Sequence, residues 1–188
     1  MNVPTTHTET AHLIRHGALE FDTARVFATD AVDAPDRSLP PDEPDWIVPL
    51  STWLTAREAL SARLHPVGLL IGPADDPWSL APEGESRIDA SAWAFIAIDF
   101  PSFTDWRGFS HAQALRQHLG YTGELRAVGD VLIDTIYYLA RCGFDAFAVK
   151  AGHDPHKALS ALHAFSRNYQ RGYADLARAR GLPGGGAQ

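Results

Sequence analysis

Trp93 to Lys150 reads WAFIAIDFPSFTDWRGFSHAQALRQHLGYTGELRAVGDVLIDTIYYLARCGFDAFAVK. Trp93 to Ile98 is an unbroken apolar run ending at Asp99, the pattern of a strand buried on both faces. A polar loop follows, and then Gly108 to Leu119 carries helix signals. Ser110 with Gln113 three residues on makes a capping box, Phe109 and Ala114 a hydrophobic staple, and Gly120 suits the C′ position. Glu124 to Val128 is a short strand. Asp130 is positioned to cap a second helix that ends at Cys142, before Gly143. Phe144 to Val149 is the next strand.

Two strand–helix–strand units in series predict parallel strands joined by crossovers. In such folds ligands collect at the carboxyl ends of the strands. That rim gathers Asp99, Asp105, Arg107, the helix start Gly108 to Ser110, Gly129, Asp130 and Lys150.

Outside this stretch the same alternation continues. His12 to Asp22 reads as a strand and turn with Leu13 and Ile14 as its apolar pair. The acid- and proline-rich run from Asp30 to Asp45 is a loop. Trp46 to Leu50 is a strand, and Pro49 inside it predicts an edge position. Ser51 or Thr52 caps a helix running to about Leu64, with Leu54, Leu60 and Leu64 on one side. His65-Pro66 stops it. Val67 to Ile71 is a strand, and residues 72–85 form a loop with one helical turn around Trp78. Asp154 as N-cap and Pro155 at N1 start a last helix, with Leu159, Leu162, Phe165 and Tyr169 on a stripe and an end near Arg180. The expected fold is one α/β domain across residues 1–188, best defined over 93–170, with flexible ends at 1–11 and 181–188. Its mainly parallel sheet is an open sheet or a partial (β/α) barrel with a short N-terminal strand or hairpin.

Composition narrows the function. A net charge of −7 argues against nucleic acid, whose phosphates need a basic face, and fits docking on a basic surface. The single cysteine, Cys142, excludes an internal disulfide, a Cys-x-x-Cys redox centre and a cysteine-ligated cluster within one chain. No apolar run reaches membrane-spanning length, and the N-terminus lacks a secretory pattern. A cytoplasmic protein is the expectation.

Several clusters carry possible chemistry. Asp99, Asp105 and Arg107, with free N–H groups of the helix start at Gly108 and Ser110, form a candidate pocket for a small anion such as sulfite or phosphate. The competing structural reading has Asp105 and Arg107 holding the loop. Glu124 and Arg126 share a strand face with Val128, so Arg126 needs a buried partner, which Asp99 or Asp130 can supply, or else reaches into the ligand cleft. Asp99 and Asp130 at successive strand ends have the look of a divalent-metal pair without a third carboxylate. The helix VLIDTIYYLARC is apolar nearly all round. It either packs beneath the last helix or joins an interface, and Cys142 at its end reads as a small buried hydrophobe.

The runs DFPSFTDWRGFS, LR, LGYTGELRAVGDVL and RCGFDAF resemble an uncharacterised bacterial family, domain-of-unknown-function family 934, whose members are described as oxidoreductases involved in sulfite reduction. The likeness covers most of the chain and is specific over about fifty residues. The family's usual Asp-Gly-Arg-Gly is Asp105-Trp106-Arg107-Gly108 here, with Trp106 replacing a glycine. The resemblance implies a role beside sulfite reductase in sulfur assimilation and cysteine biosynthesis, and supplies no catalytic residues. The sequence has no dinucleotide-binding glycine turn, no phosphate loop and no cysteine set, so no cofactor can be named from it. An accessory protein docking on the reductase is therefore the leading expectation, ahead of an enzyme using Asp99, Asp105 and Arg107. A third reading comes from LIRHG at 13–17 and AGHDPHKAL at 151–159, which resemble two segments of the histidine phosphatases. It would make His16 the nucleophile, Arg15 a phosphate ligand and His153 a second pocket histidine.

Overall fold

The computed structural model describes residues 12–27, 39–162 and 172–173. The described chain opens with a hairpin, β1 (Leu13–Arg15) and β2 (Ala18–Glu20), turned by His16 and Gly17 at φ 53° and 72°. Two positive φ values in a two-residue loop match the twist of the flanking strands. Next come β3 (Arg25–Val26), β4 (Trp46–Pro49), α1 (Leu50–Ser61) and β5 (Gly68–Ile71). Single 3-10 turns at Pro77–Leu80 and Ala90–Ala92 fill the following loop. The central stretch supplies β6 (Ile96–Phe100), α2 (Arg107–Gln113), which runs on as a π turn over Ala114–His118, β7 (Leu125–Gly129), α3 (Ile133–Arg141) and β8 (Ala146–Ala148). The last described element is α4 (Pro155–Leu162).

The eight strands among the described residues form one sheet in the order β2-β1-β8-β7-β6-β5-β4-β3. β3 to β8 are parallel neighbours in sequence order, and β1 joins antiparallel to both β8 and β2. This order forces a curl. β2 and β3 are opposite edges, yet Glu20 and Arg25 are five residues apart, a reach of at most about 18 Å. Seven strand spacings in a flat sheet would need about 34 Å. The sheet is therefore a half-barrel, and the partial-barrel form of the expected fold is the one found.

The helices cover the convex face. Ile96, Ile98 and Phe100 of β6 point there, with Val48, Leu69, Leu125 and Phe147 from neighbouring strands, and meet Trp53, Leu115, Ile136 and Leu139. Gly108 lets α2 press on β6: a Cβ there would lie 2.6 Å from the Phe100 ring. The concave face carries two arginines, Arg15 and Arg126, among small and aliphatic residues. Ala97, Arg126 and Ala146 lie side by side in register. Residues 21–24 cross this face from the carboxyl end of β2 to the amino end of β3, and Ala24 packs with Ile47, Phe95 and Ala97.

Several expected boundaries and caps shift. β6 begins three residues later than expected and takes in Asp99 and Phe100. Asp89 turns the chain just before it by accepting the Ser91 amide at 2.8 Å, and Trp93 then packs on Trp53. Ser110 is not a cap; it is exposed inside α2, whose first amide, that of Arg107, is accepted by Asp105 at 3.1 Å. Asp130 does not cap α3, whose N-cap is Leu132 with no side-chain bond. In α1 the buried side is Leu50, Trp53 and Leu60, whereas Leu54 and Leu64 are exposed, Leu64 at 82%. Leu50, Trp53 and Leu60 recur at regular helical spacing, Leu54 falls on another side, Leu64 lies beyond the helix end at Ser61, and neither Ser51 nor Thr52 caps the helix, whose N-cap is Pro49. Pro49 is not on an edge strand, since β3 pairs with β4. That pairing stops at Ile47, so the missing amide of Pro49 interrupts nothing there. The expected caps at Gly120 (φ 67°) and Asp154 are present, Asp154 accepting the His156 amide at 2.9 Å. Leu159 and Leu162 pack on the core, whereas Phe165, Tyr169 and the ends at 1–11 and 181–188 lie outside the described residues. No described helix is long and apolar enough to cross a membrane.

Candidate functional site

Three loops meet at the carboxyl rim. Asp130, after β7, accepts the Phe103 amide from the β6–α2 loop at 2.9 Å. Lys150, after β8, places its ammonium 2.6 Å from the same carboxylate. The Asp130 backbone amide is bound in turn by the Phe100 carbonyl at 2.6 Å. Gly129 makes this crossing possible: at φ 90° a Cβ would lie 2.5 Å from the Phe100 carbonyl oxygen and 2.6 Å from Asp99 Oδ1. The Lys150 bond and the Phe103 amide hold the Asp130 carboxyl below the usual carboxylate range.

Asp105 and Arg107 close on each other. Arg107 donates from Nε at 3.0 Å and from Nη2 at 2.6 Å, a bidentate fork. The Arg107 guanidinium and amide together hold the Asp105 carboxyl below its ordinary value. Asp99 stands differently. It is half-buried with no hydrogen bond, and burial, followed by the charge of Asp105, pushes its carboxyl up. The rim therefore does bring Asp99, Asp105, Arg107, Gly108 and Asp130 together. It also consumes most of their charge internally. The Asp105 carboxylate occupies the start of α2, where an added anion would have been held.

Arg126 lies elsewhere. It is mid-strand on the concave face, 3% exposed, and its partners are neither Asp99 nor Asp130. Nε and Nη2 bond Glu124 Oε1 at 2.9 and 2.8 Å, and Nη1 reaches Asp22 at 3.2 Å. The guanidinium stacks 3.7 Å over the Phe95 ring. The structural ion pair is thus present with a partner, Asp22, that only the curl of the sheet brings near. Arg15 completes the network, bonding Glu20 and lying 3.6 Å from Glu124.

His16 and His153 do not share a pocket. Arg15 is in register with Ala146, so the His16 turn lies at the amino ends of the parallel strands. His153 follows Lys150 at the carboxyl ends. Among the described residues no three His, Cys, Asp or Glu side chains converge to hold a metal ion. Burial raises the Cys142 thiol, as suits a small packed side chain.

Sequence reasoning passed over two features. Arg116 is 4% exposed and donates to the carbonyls of Gly143, Tyr121 and Gly123 at 2.9, 2.8 and 2.8 Å and to the Asp145 carboxylate. An arginine between Leu115 and Gln117 gives no warning of this, although Asp145 inside an apolar strand does. The second feature is aromatic. Phe103, Trp106 and Tyr138 are exposed at 55%, 62% and 48% on the rim. Trp106 stacks on Phe109 at 5.4 Å, and Tyr138 meets Phe109 edge-on at 5.2 Å. Beneath them Phe100, Phe103, Phe109, Val131 and Leu139 line a small crevice with Asp130 at its edge.

The family model for a bacterial protein of unknown function, DUF934, matches residues 77–178. Rim, α2, α3 and the Arg116 network all fall in that span, and the chain belongs to this family. No curated protein and no solved structure matches it.

Proposed function

We propose that the protein is an accessory component of sulfite reduction that docks on sulfite reductase through its carboxyl rim. One observation carries the choice of docking over catalysis: the rim presents exposed aromatic rings while its ionic groups, Asp99 and Asp134 apart, are closed in the Asp105–Arg107 and Asp130–Lys150 pairs. Roughly 300 Å² of ring surface lies open there, the size at which apolar patches on monomers are commonly functional. A catalytic centre would instead keep its acid, base or anion-holding groups free to meet a substrate. The choice of sulfite reductase rests on the family resemblance. A small anion such as sulfite or phosphate is the lesser expectation at this rim, because Asp105 already fills the helix start.

The test is affinity capture with the full chain from cells grown on sulfate as sole sulfur source. Recovery of sulfite reductase, together with poor growth of a deletion strain without cysteine, is expected. A colourless bait that retains no sulfur-assimilation enzyme, with normal growth of the deletion strain, would defeat the assignment. A visible chromophore on the purified protein would favour redox work at the rim instead.

A further inference from the structure

We propose that the aromatic rim receives an arginine-bearing, cationic segment of its partner protein, with a guanidinium lying on the outer face of Trp106. This deepens the docking reading and uses the same face. Trp106 has one face against Phe109, the rings inclined by 30°. Tyr138 meets it edge-on at 6.4 Å, and at 62% exposure the ring keeps surface on which a planar cation can lie. The chain already uses this contact internally: Arg25 lies 4.2 Å over Trp46 and Arg126 3.7 Å over Phe95.

Charge settles the sign of the partner. Asp105, Asp130 and Asp134 flank the patch, against Arg107 and Lys150, and Asp99 adds its charge from the end of β6 behind Asp105. Both cations are already paired. Asp99 makes no ion pair, and neither does exposed Asp134, which stands four residues before Tyr138 on the same face of α3. An incoming acidic segment would have to displace Asp105 from Arg107 or Asp130 from Lys150, whereas a basic one meets the unpaired carboxylate of Asp134 beside Tyr138. The whole chain adds a net charge of −7, which steers cationic surfaces toward it. Arginine is preferred to lysine because a flat guanidinium stacks on an indole and forks onto a carboxylate at once.

The test uses the full-length, isotope-labelled protein and three acetylated pentapeptides, Gly-Arg-Gly-Arg-Gly and its lysine and glutamate counterparts. The arginine peptide should move the Trp106 indole and Tyr138 resonances. The lysine peptide should bind more weakly, and the glutamate peptide should leave both resonances in place. Trp106→Ala should weaken arginine-peptide binding roughly fivefold. Asp134→Asn should weaken it about twofold, and about 0.5 M salt should reduce the wild-type affinity further. An unmoved Trp106, a glutamate peptide that binds equally, or unchanged affinity in Trp106→Ala would overturn the proposal. The two proposals fail separately. Loss of reductase capture with arginine binding intact removes the reductase and leaves this surface. Reductase capture with peptides that ignore charge does the reverse.

Discussion

Replacing Arg116 by methionine removes the guanidinium from the most enclosed ion pair among the described residues. Its side chain is 3% exposed and that of Asp145 13%. Methionine fills a similar volume, so the cavity contribution is small. What remains is a carboxylate without its cation and three carbonyls without their donor. The Asp145 oxygen keeps only the Leu125 amide, at 2.9 Å. Breaking one partner out of a buried pair costs about 3–5 kcal/mol, a large share of a total stability of about 5–15 kcal/mol. For a chain of this size that is a fall in Tm of roughly 10 °C. Thermal unfolding followed by circular dichroism measures it. Asp145→Asn should also destabilise, and the double variant should lose much less than the sum, because both changes break one network. Arg126→Met is the contrast. Glu124 keeps Arg15 nearby and Asp22 keeps water, so a loss of only about 1–2 kcal/mol is expected. An Arg116→Met variant within about 1 kcal/mol of wild type would refute the reasoning.

Asp99→Asn should stabilise the fold at neutral pH by less than about 1 kcal/mol, since the carboxyl retains part of its hydration. Its raised folded value means the native state holds a proton that the unfolded state releases near pH 3.9, so wild-type stability falls as pH rises above that point. The advantage of the variant should vanish below it, and denaturant titrations at several pH values that show the reverse order would contradict the assignment. Gly129→Ala should cost about 1–3 kcal/mol, because its Cβ meets the Phe100 carbonyl and because φ is 90°. Unchanged urea unfolding would show that the β7 end is not held as described. Tyr121 is fully buried, and burial, ahead of its charged neighbours, pushes its hydroxyl far up. Its contribution to stability should therefore be lost as pH rises above about 10, where an unfolded tyrosine ionises. Tyr121→Phe should flatten that alkaline decline.

The parallel core was readable because each strand of the central stretch is a short apolar run set off by glycine and aspartate, and each helix has a clear end. Gly120, Gly143 and Asp154 mark those ends with local chemistry, which sequence shows directly. Caps chosen among several candidates were less secure. Ser110 satisfied a capping pattern, yet Asp105 lies earlier in the chain and took the first amide. Asp130 suited a helix start, but tertiary contacts with Phe103 and Lys150 outcompeted that local role. β3 escaped notice because two residues carry no period. The curl escaped too, since nothing local says that residues 21–24 must link opposite edges. For the same reason the Asp22 partner of Arg126 could not be foreseen. At the rim the charged residues were identified and their pairing was not: Asp105 and Arg107 were visible as a pair, while Lys150 finds Asp130 only through the ordering of β7 and β8. Tyr138 looked like one more apolar position on α3, and only the packing of Ile136 and Leu139 leaves it outward.

The affinity of purified sulfite reductase for the wild-type chain, Phe103→Ala and Trp106→Ala, measured with circular dichroism on the same samples, tests the docking rim most directly. The wild type should bind, and Trp106→Ala should bind at least about 30-fold more weakly, the loss typical of a central tryptophan contact, with its fold unchanged. Equal binding by all three chains, or none by the wild type, would contradict it.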